Sequence, residues 1–439
     1  MLEDYKNRTT KAAALWGRSQ RLFPGGINHN IRTFGTVGAG AYPPFIQRGK
    51  GCHIWDVDGN EYVDWWMTHY SEILGHDNDA IKRSISDQLE NGIHFGALNE
   101  YQVRLAEIIQ EAIPTLERMR FCTTGSEATM YATRLARQFT GRRLVAKALG
   151  GWHGGNDTLC FHLSHPFDDR PLHGGVSFDF NDTYSVDQLI REHGEELAAI
   201  VVEPVLGAGG GIPPSPDFLP YLREVTERHG VVLIFDEIVT AFRLAYGDAG
   251  THIFGVKPDL LTLGKVAGGG MPIGVYGGRE DIMRLASSAT RSAGWVGGGT
   301  FSCHPLSMVA GIAALNELGL RRSEYASLNA RGDCFRDRIN RALTETGCNM
   351  LATGYGSILF IHALKKPYVA ESLTGSKLAA AIDRQRQDVF QALLLEQGVL
   401  GHHGLGAMSF AHGDRDLDFT LDAIQHVVNS GGFQNSVGP

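Results

Sequence analysis

One stretch decides the fold: Val231–Gly278, VVLIFDEIVTAFRLAYGDAGTHIFGVKPDLLTLGKVAGGGMPIGVYGG. Its first apolar run, Val231–Phe235, ends at Asp236, and its second, Leu260–Leu263, is followed closely by Lys265. Short apolar runs like these are typical of strands buried in a parallel sheet that helices cover on both faces. Because ligands of such sheets gather at the carboxyl ends of the strands, the stretch predicts a binding site at that edge.

The same alternation continues upstream of this stretch. Ala198–Val202 is another apolar run of strand length, and Asp217–His229 has the spacing of an amphipathic helix. From about Asn99 onward, strand-like and helix-like segments follow one another. This predicts an α/β fold, with a large domain in which helices flank a mostly parallel central sheet.

The two ends of the chain have a different character. Asn7 to Arg21 predicts one helix, and Gly51–Trp66 predicts a β-hairpin with an Asp-Gly turn. From about Ser323 the pattern mixes helix and strand. We expect the N- and C-terminal parts to form a small α+β domain, and we divide the chain into an N-terminal segment 1–75, a large domain 76–322 and a C-terminal domain 323–439.

Composition limits the classes of partner. The chain has 439 residues, 43% of them apolar, and a net charge of −8, which argues against nucleic acid or an anionic membrane surface as a partner. The N-terminus lacks the apolar core of a signal peptide, and no apolar run is long enough to span a bilayer. The six cysteines are scattered without a CxxC pair, which indicates reduced thiols rather than disulfides or a metal site. These features predict a cytoplasmic protein with small-molecule ligands.

Two glycine-containing segments suit a phosphate group. In Thr123–Ala128, TTGSEA, Gly125 and Ser126 would open a helix, where free N–H groups and the helix dipole favour an anion. The loop Gly299–Phe301 can present the hydroxyl and N–H of Thr300. An ordinary helix cap and a linker glycine are the alternatives.

Asp236 and Lys265 are the candidate catalytic residues. An aspartate at a strand end can hold a proton on a pyridinium nitrogen, which keeps the ring an electron sink. A lysine next to glycine-rich backbone can be desolvated, which lowers its pKa towards Schiff-base chemistry. Singly, each has a common alternative, a turn residue or a solvated lysine. In this order along the chain, phosphate loop, aspartate and lysine predict a pyridoxal 5'-phosphate (PLP) site.

The whole set of motifs resembles the class III aminotransferases, which are fold type I PLP-dependent enzymes. The likeness extends from PGGINHNIRTF at Pro24–Phe34 to LDFTLDAI at Leu417–Ile424, and Leu233–Gly278 carries its most specific part. The nearest likeness is to glutamate semialdehyde aminomutases and the related β-amino acid aminotransferases. The resemblance implies the fold type I architecture, PLP as cofactor, and a homodimer with shared active sites.

The resemblance also implies roles for single residues. Lys265 would carry the cofactor and move a proton, and Asp236 would pair with the pyridinium nitrogen. The other cofactor contacts would be Gly125 and Ser126 on the phosphate, Thr300 on the phosphate across a dimer interface, Trp152 on one ring face, Ile238 on the other, and Glu203 near the 3-oxygen.

The substrate residues follow partly from the resemblance and partly from departures from it. Arg32 matches a carboxylate-binding arginine of the aminomutases. The segment Gly154–Asn181 is shorter than in those enzymes and lacks their gating loop, which favours transfer between separate molecules. Gly401–Ala407 lacks the second arginine of the β-amino acid aminotransferases. A polar pocket able to bind substrate hydroxyls would be lined by His69, His402 and His403, for which core or solvent-facing histidines are the alternative.

These features predict an aminotransferase. It would move an amino group from a donor such as glutamate to a carboxylate-bearing keto compound, hydroxylated or cyclic, such as dehydroshikimate, with 3-aminobenzoate as the final product. An aminomutase-like isomerase and a β-amino acid aminotransferase are the alternatives. A PLP-fold protein without catalysis is a third, against which the intact Lys265 and Asp236 argue.

Overall fold

The computed structural model describes residues 2–287, 297–367 and 373–434. The chain divides into two compact units: a first unit of Met1–Asn78, Leu328–Ala370 and Ala381–Pro439, and a second unit of Asp79–Ser327 with Glu371–Ala380. The two ends of the chain therefore contribute to the same unit. The finer division into segments 1–75, 76–322 and 323–439 stays a prediction.

Strands occur in both units. In chain order they are β1 (Ile46–Lys50), β2 (His53–Asp56), β3 (Glu61–Asp64), β4 (Arg118–Cys122), β5 (Leu144–Ala148), β6 (Gly175–Phe178), β7 (Leu197–Val202), β8 (Val232–Asp236), β9 (Leu260–Gly264), β10 (Gly274–Gly278), β11 (Met350–Tyr355), β12 (Ile358–Ala363), β13 (Val399–Leu400) and β14 (Gly406–Ala407).

Helices also occur in both units. In chain order they are α1 (Glu3–Arg8), α2 (Thr10–Leu22), the single turn α3 (Met67–Tyr70), α4 (Asp79–Glu90), α5 (Glu100–Ala112), α6 (Gly125–Thr140), α7 (Thr183–His193), α8 (Phe218–His229), α9 (Ala249–His252), α10 (Glu280–Met283), α11 (Pro305–Leu320), α12 (Tyr325–Glu345), α13 (Gly375–Ala381), α14 (Arg384–Glu396), α15 (Asp414–Asn429) and α16 (Gly431–Gln434). Within the described residues, no helix has the length and apolar character needed to cross a membrane.

The second unit is built on a seven-stranded sheet in the order β4-β10-β9-β8-β7-β5-β6. Neighbouring strands are parallel throughout the part β9-β8-β7-β5-β6, whereas β10 is antiparallel to both of its neighbours. Every residue of β7, β8 and β9 is buried, as expected for strands covered on both faces. The predicted mostly parallel sheet with flanking helices is confirmed.

Helix α6 packs closely on this sheet because small residues recur on one of its faces. Ala128, Ala132 and Ala136 are spaced by one helical turn and are buried in one apolar cluster with residues of β5, β7 and β8. Alanine side chains let the helix approach the strands. The close fit holds the N-terminus of α6 in place at the carboxyl end of β4.

The first unit contains two smaller sheets, β1-β2-β3-β13 and β11-β12-β14. The predicted hairpin is present as the antiparallel pair β2 and β3. The helix predicted for Asn7 to Arg21 is present as α2 from Thr10 onward, but its predicted start is wrong, because the helix is interrupted at Thr9 and Asn7 belongs to α1. Thr9 has a non-helical backbone (φ −124°, ψ 44°), and its hydroxyl donates a hydrogen bond to the Tyr5 carbonyl at 2.6 Å.

The turn α3 is left-handed. Met67, Thr68, His69 and Tyr70 have φ values of 41°, 52°, 61° and 65°. This conformation costs roughly 1–2 kcal/mol for each residue with a Cβ, so surrounding contacts must hold it. Met67 and Tyr70 are buried, and the Met67 N–H donates to Asp64 Oδ1 at 3.2 Å. Thr68 is left exposed, and His69 is only partly buried.

Candidate active site

Five strands of the large sheet lead into the predicted site residues of the second unit. Because these strands run in one direction, the segments that follow them lie at the same edge of the sheet. Gly125 and Ser126 follow β4, Trp152 follows β5, Glu203 follows β7, Asp236 and Ile238 end or follow β8, and Lys265 follows β9.

Asp236 is buried and held from two sides. Its Oδ2 lies 2.8 Å from Nδ1 of His153, and its Oδ1 accepts hydrogen bonds from Thr262 Oγ1 at 3.0 Å and from the Ile238 N–H at 3.2 Å. Thr262 is the residue paired with Asp236 between β8 and β9. These bonds fix the direction of the carboxylate.

Lys265 directly follows β9 with a left-handed backbone (φ 46°). Burial lowers the pKa of its amine, the carboxylates of Asp236 and Glu203 oppose that change, and the guanidinium of Arg243 adds to it. A lysine with a lowered pKa has more of its amine in the neutral, nucleophilic form. The residue is therefore suited to attack a carbonyl carbon.

Glu203 supports the loop that carries Trp152. It accepts hydrogen bonds from the Trp152 N–H at 3.2 Å and the Gly207 N–H at 3.0 Å. Burial raises the pKa of Glu203 to about 7. The nearby Asp236 carboxylate adds to that increase, and His153 opposes it.

The N-terminus of α6 is a capped helix start with room for an anion. Thr124 Oγ1 accepts from the Glu127 N–H at 3.2 Å, and Glu127 Oε2 accepts from the N–H groups of Thr123 at 2.7 Å and Thr124 at 3.1 Å. The cap does not use the N–H groups of Gly125 and Ser126. They stand at the positive end of the helix dipole, where a phosphate binds favourably.

Ile238 lies between the helix start and the lysine strand. A Cβ atom on Gly125 would come within 2.5 Å of Ile238 Cδ1, and one on Gly264 would lie 3.5 Å from Ile238 Cγ2. Only glycine fits at position 125 without a shift of that side chain. Ile238 can therefore form an apolar wall beside any ring placed between α6 and Lys265.

These groups fit a PLP molecule. A helix start suits its phosphate, the clamped Asp236 suits its ring nitrogen, and Lys265 suits its carbonyl carbon. His153 contacts Asp236 through Nδ1. Its other ring nitrogen, Nε2, is buried and has no hydrogen-bond partner within the described part of the chain.

Thr300 lies in an exposed segment. A Cβ atom on its neighbour Gly299 would lie 3.3 Å from Glu127 Oε1 and 3.8 Å from Thr123 Oγ1. The segment therefore passes the start of α6 in its own chain.

The predicted substrate residues belong to the first unit. Arg32 and His69 both line a cavity of about 540 Å³ whose walls include Trp66 and Phe34. The imidazole of His69 stacks on the Trp66 indole, with centroids 4.4 Å apart and planes at 17°. The cavity therefore combines a cationic group and an imidazole with aromatic walls.

His402 and His403 do not line this cavity. His402 packs edge-on against Trp66 and Phe34, at 5.0 and 6.5 Å between centroids, and burial lowers its pKa to about 3. His403 stacks on Phe360 at 5.0 Å, and burial lowers its pKa well below the ordinary value. Both imidazoles are neutral at physiological pH.

The class-III aminotransferase family model matches residues 35–359. The chain belongs to the class-III aminotransferase family. A glutamate-1-semialdehyde 2,1-aminomutase of Thermoplasma acidophilum is 36% identical over 424 residues, which cover 93% of this chain and 97% of the relative.

Solved structures agree with this assignment. A β-phenylalanine aminotransferase from Variovorax paradoxus is 31% identical, with a TM-score of 0.84 over 96% of this chain and 94% of that one. A transaminase with PLP bound is 28% identical, with a TM-score of 0.85 over 96% and 97% of the two chains. The predictions of a fold type I, PLP-dependent enzyme are confirmed.

Three residues around the site of this class-III enzyme were not predicted from the sequence. His153 and Thr262 clamp Asp236, and Arg243, fully buried, acts electrostatically on Lys265. The sequence did indicate two of them as candidate site residues, because His153 stands beside Trp152 in GGWHGG and Thr262 is a polar residue within an apolar strand. Arg243 lies in an irregular segment, where nothing in the sequence indicated burial.

Proposed function

We propose that this enzyme transfers an amino group between two separate molecules, from a donor such as glutamate to a carboxylate-bearing keto compound. The observation that carries the proposal is that two groups stand at the same edge of the sheet: Lys265, whose pKa is lowered by burial, and the Asp236 carboxylate, which His153 and Thr262 clamp. An activated amine and an oriented carboxylate at one sheet edge suit PLP chemistry.

The residues that would hold PLP divide by the part they contact. Lys265 would bind it covalently through its amine, and Asp236 would hold a proton on the ring nitrogen. The phosphate and ring contacts would come from Gly125, Ser126 and Thr300 on the phosphate, Trp152 and Ile238 on the two ring faces, and Glu203 near the 3-oxygen. When bound, PLP supplies an electron sink that stabilises negative charge on the substrate carbon.

Lys265 has a second task, which is to move a proton. A neutral amine can accept a proton from the substrate carbon and donate it again, and the low pKa of Lys265 favours that neutral form. The hydrogen bonds to Asp236 keep its carboxylate directed to one position. Lys265 would therefore move the proton, while Asp236 would hold one on the ring nitrogen.

The proposed acceptor is a hydroxylated or cyclic keto acid, with dehydroshikimate as one example and an aminobenzoate as its product. The guanidinium of Arg32 is suited to a bidentate contact with a carboxylate. His69 shares the cavity with Arg32 and can hydrogen-bond a hydroxyl, and the aromatic walls suit a ring. His402 and His403 do not line this cavity, and their neutral imidazoles add no charge to the wall that Trp66 forms.

An aminomutase is the second candidate, favoured by the name of the Thermoplasma acidophilum relative. The short Gly154–Asn181 segment, in which β6 is the described strand, supports intermolecular transfer instead. A β-amino acid aminotransferase is a further alternative, favoured by the Variovorax paradoxus structure. The absence of a second arginine in Gly401–Ala407 argues against it.

The proposed enzyme is a cytoplasmic homodimer with shared active sites. Ile93, Phe95, Leu98 and Phe301 are exposed apolar residues of the second unit. The segments that carry them adjoin, because Asn99 Nδ2 donates to the Cys303 carbonyl at 3.0 Å. Exposed apolar surface of this kind suits a subunit interface.

A half-reaction screen tests the proposed function. Single amino compounds are added to the purified holoenzyme while the visible absorbance of its cofactor is followed. We expect glutamate or another α-amino acid to bleach the band and a keto acid to restore it, and Lys265→Ala to abolish both changes. If one amino-aldehyde or diamine turns over without a co-substrate, the enzyme is a mutase. If a β-amino acid is the fastest donor, the β-amino acid alternative is correct.

A further inference from the structure

The first unit brings together a thiol, an imidazole and a carboxylate that have no role in the proposed reaction. Ligand atoms of Cys52, His53 and Asp416 all lie within 4.8 Å of one another. Cys52 Sγ is 3.3 Å from Asp416 Oδ2, and His53 Nε2 is 3.0 Å from Asp416 Oδ1. The scattered cysteines predicted no metal site, because the carboxylate is 364 residues away in sequence.

One of these three groups is held in direction by a hydrogen bond, and a carboxylate stands beside another. Asp416 stands in the first turn of α15 and accepts a hydrogen bond from the Gly413 N–H at 2.8 Å. The other ring nitrogen of His53, Nδ1, lies 2.9 Å from Glu61 Oε1. A carboxylate beside the second nitrogen of a metal-binding histidine is the common arrangement, because it orients the ring.

The donor set identifies the class of metal. Sulfur and nitrogen ligands disfavour Mg²⁺ and Ca²⁺, which take oxygen ligands, whereas Zn²⁺ accepts sulfur, nitrogen and oxygen together. Cys52 is 2% exposed, while the side chains of His53 and Asp416 are 30% and 17% exposed. Solvent therefore reaches one side of the cluster and can supply a fourth ligand.

We propose that Cys52, His53 and Asp416 bind one Zn²⁺, with a water molecule as fourth ligand and Glu61 as a positioning residue. The thiol loses its proton to solvent when the Zn–S bond forms. The ion would join the start of β2 to the start of α15, two parts of the first unit that come from opposite ends of the chain. Its role is structural, since it would reinforce a place where Cys52 and His53 already contact Asp416 directly.

The experiment uses chelator-treated holoenzyme titrated with Co²⁺ and, separately, with Zn²⁺ by calorimetry. Co²⁺ bound to a thiolate in a tetrahedral site absorbs at longer wavelengths than PLP. We expect one ion per chain and this absorbance in the wild type. Cys52→Ala should remove the absorbance and weaken binding by at least about 100-fold, and Glu61→Gln should weaken it by about 10-fold.

Cys348→Ala is the matched control, because Cys348 is a partly buried thiol of the same unit. It should leave both titrations unchanged. If Cys52→Ala does not fold, as judged by circular dichroism, His53→Gln takes its place because His53 is partly exposed. Absence of the Co²⁺ absorbance in the wild type, or its survival in Cys52→Ala or His53→Gln, overturns the proposal. Neither readout depends on aminotransferase activity.

Discussion

Glu203 makes the stability of the fold depend on pH. Burial raises its pKa from 4.5 to about 7 in the folded protein. Between these two values the unfolded chain has lost the proton that the folded protein still holds. The contribution of Glu203 to folding stability is therefore complete below about pH 4.5 and is lost as the pH rises through about 7.

Glu203→Gln should remove this part of the pH dependence. A pKa difference of about 2.5, from 4.5 to about 7, corresponds to about 3 kcal/mol at most. We expect the free energy of unfolding of the cofactor-free wild type to fall by up to that amount between pH 4.5 and pH 8, and less in the variant. Urea unfolding across this range measures it. Glu90→Gln, at an exposed position, should behave as the wild type; a parallel decline in Glu203→Gln would contradict the prediction.

At the scale of single residues, the sequence predicted those site residues that end or follow an apolar run. Asp236 and Lys265 could be found because each stands where a strand meets a loop. Their environment could not, because His153 meets Asp236 only through the order of β5, β7 and β8 in the sheet. The fully buried Arg243 was hidden because it lies in an irregular segment with no pattern that indicates burial.

Among the elements, α6 and α7 begin with the same kind of cap. Thr124 accepts from the Glu127 N–H, and Asp182 accepts from the Ser185 N–H at 3.1 Å. Thr124→Ala and Asp182→Ala should each lower the free energy of unfolding by about 1 kcal/mol. Only Thr124→Ala should also weaken PLP binding, because only α6 carries Gly125 and Ser126. Urea unfolding and PLP titration separate the two effects, and equal PLP affinities would remove α6 from the proposed site.

Elements whose pattern agreed with their surroundings could be predicted from sequence. The strands β7, β8 and β9 are apolar runs in a fully covered sheet, and tertiary contacts reinforce their local preference. The left-handed turn α3 is the opposite case. Met67–Tyr70 contains no glycine, and its backbone is held by burial and by Asp64, neither of which is visible in the local sequence.

At the scale of the molecule, shared active sites can be tested with a mixed dimer. Lys265→Ala and Thr300→Ala chains are co-expressed with different tags and the heterodimer is purified. If Thr300 acts across the interface, one of its two sites is complete, and we expect about half of the wild-type activity at a PLP concentration that saturates the wild type. If Thr300 serves its own chain, whose α6 its segment passes, neither site is complete and activity stays at about half of that of the Thr300→Ala homodimer.

The hydrogen bond between Trp65 and Thr420 has a consequence for the chain as it leaves the ribosome. Trp65 Nε1 donates to Thr420 Oγ1, which lies 355 residues later in the chain. Likewise β3 pairs with β13, which lies in the C-terminal part of the chain. At about 5–20 residues per second, the ribosome needs roughly 20–70 s to supply those partners. The contiguous stretch Asp79–Ser327 is complete well before then. The hairpin of β2 and β3 therefore leaves the ribosome long before its partners, and in the cell a chaperone has roughly 20–70 s in which to bind it.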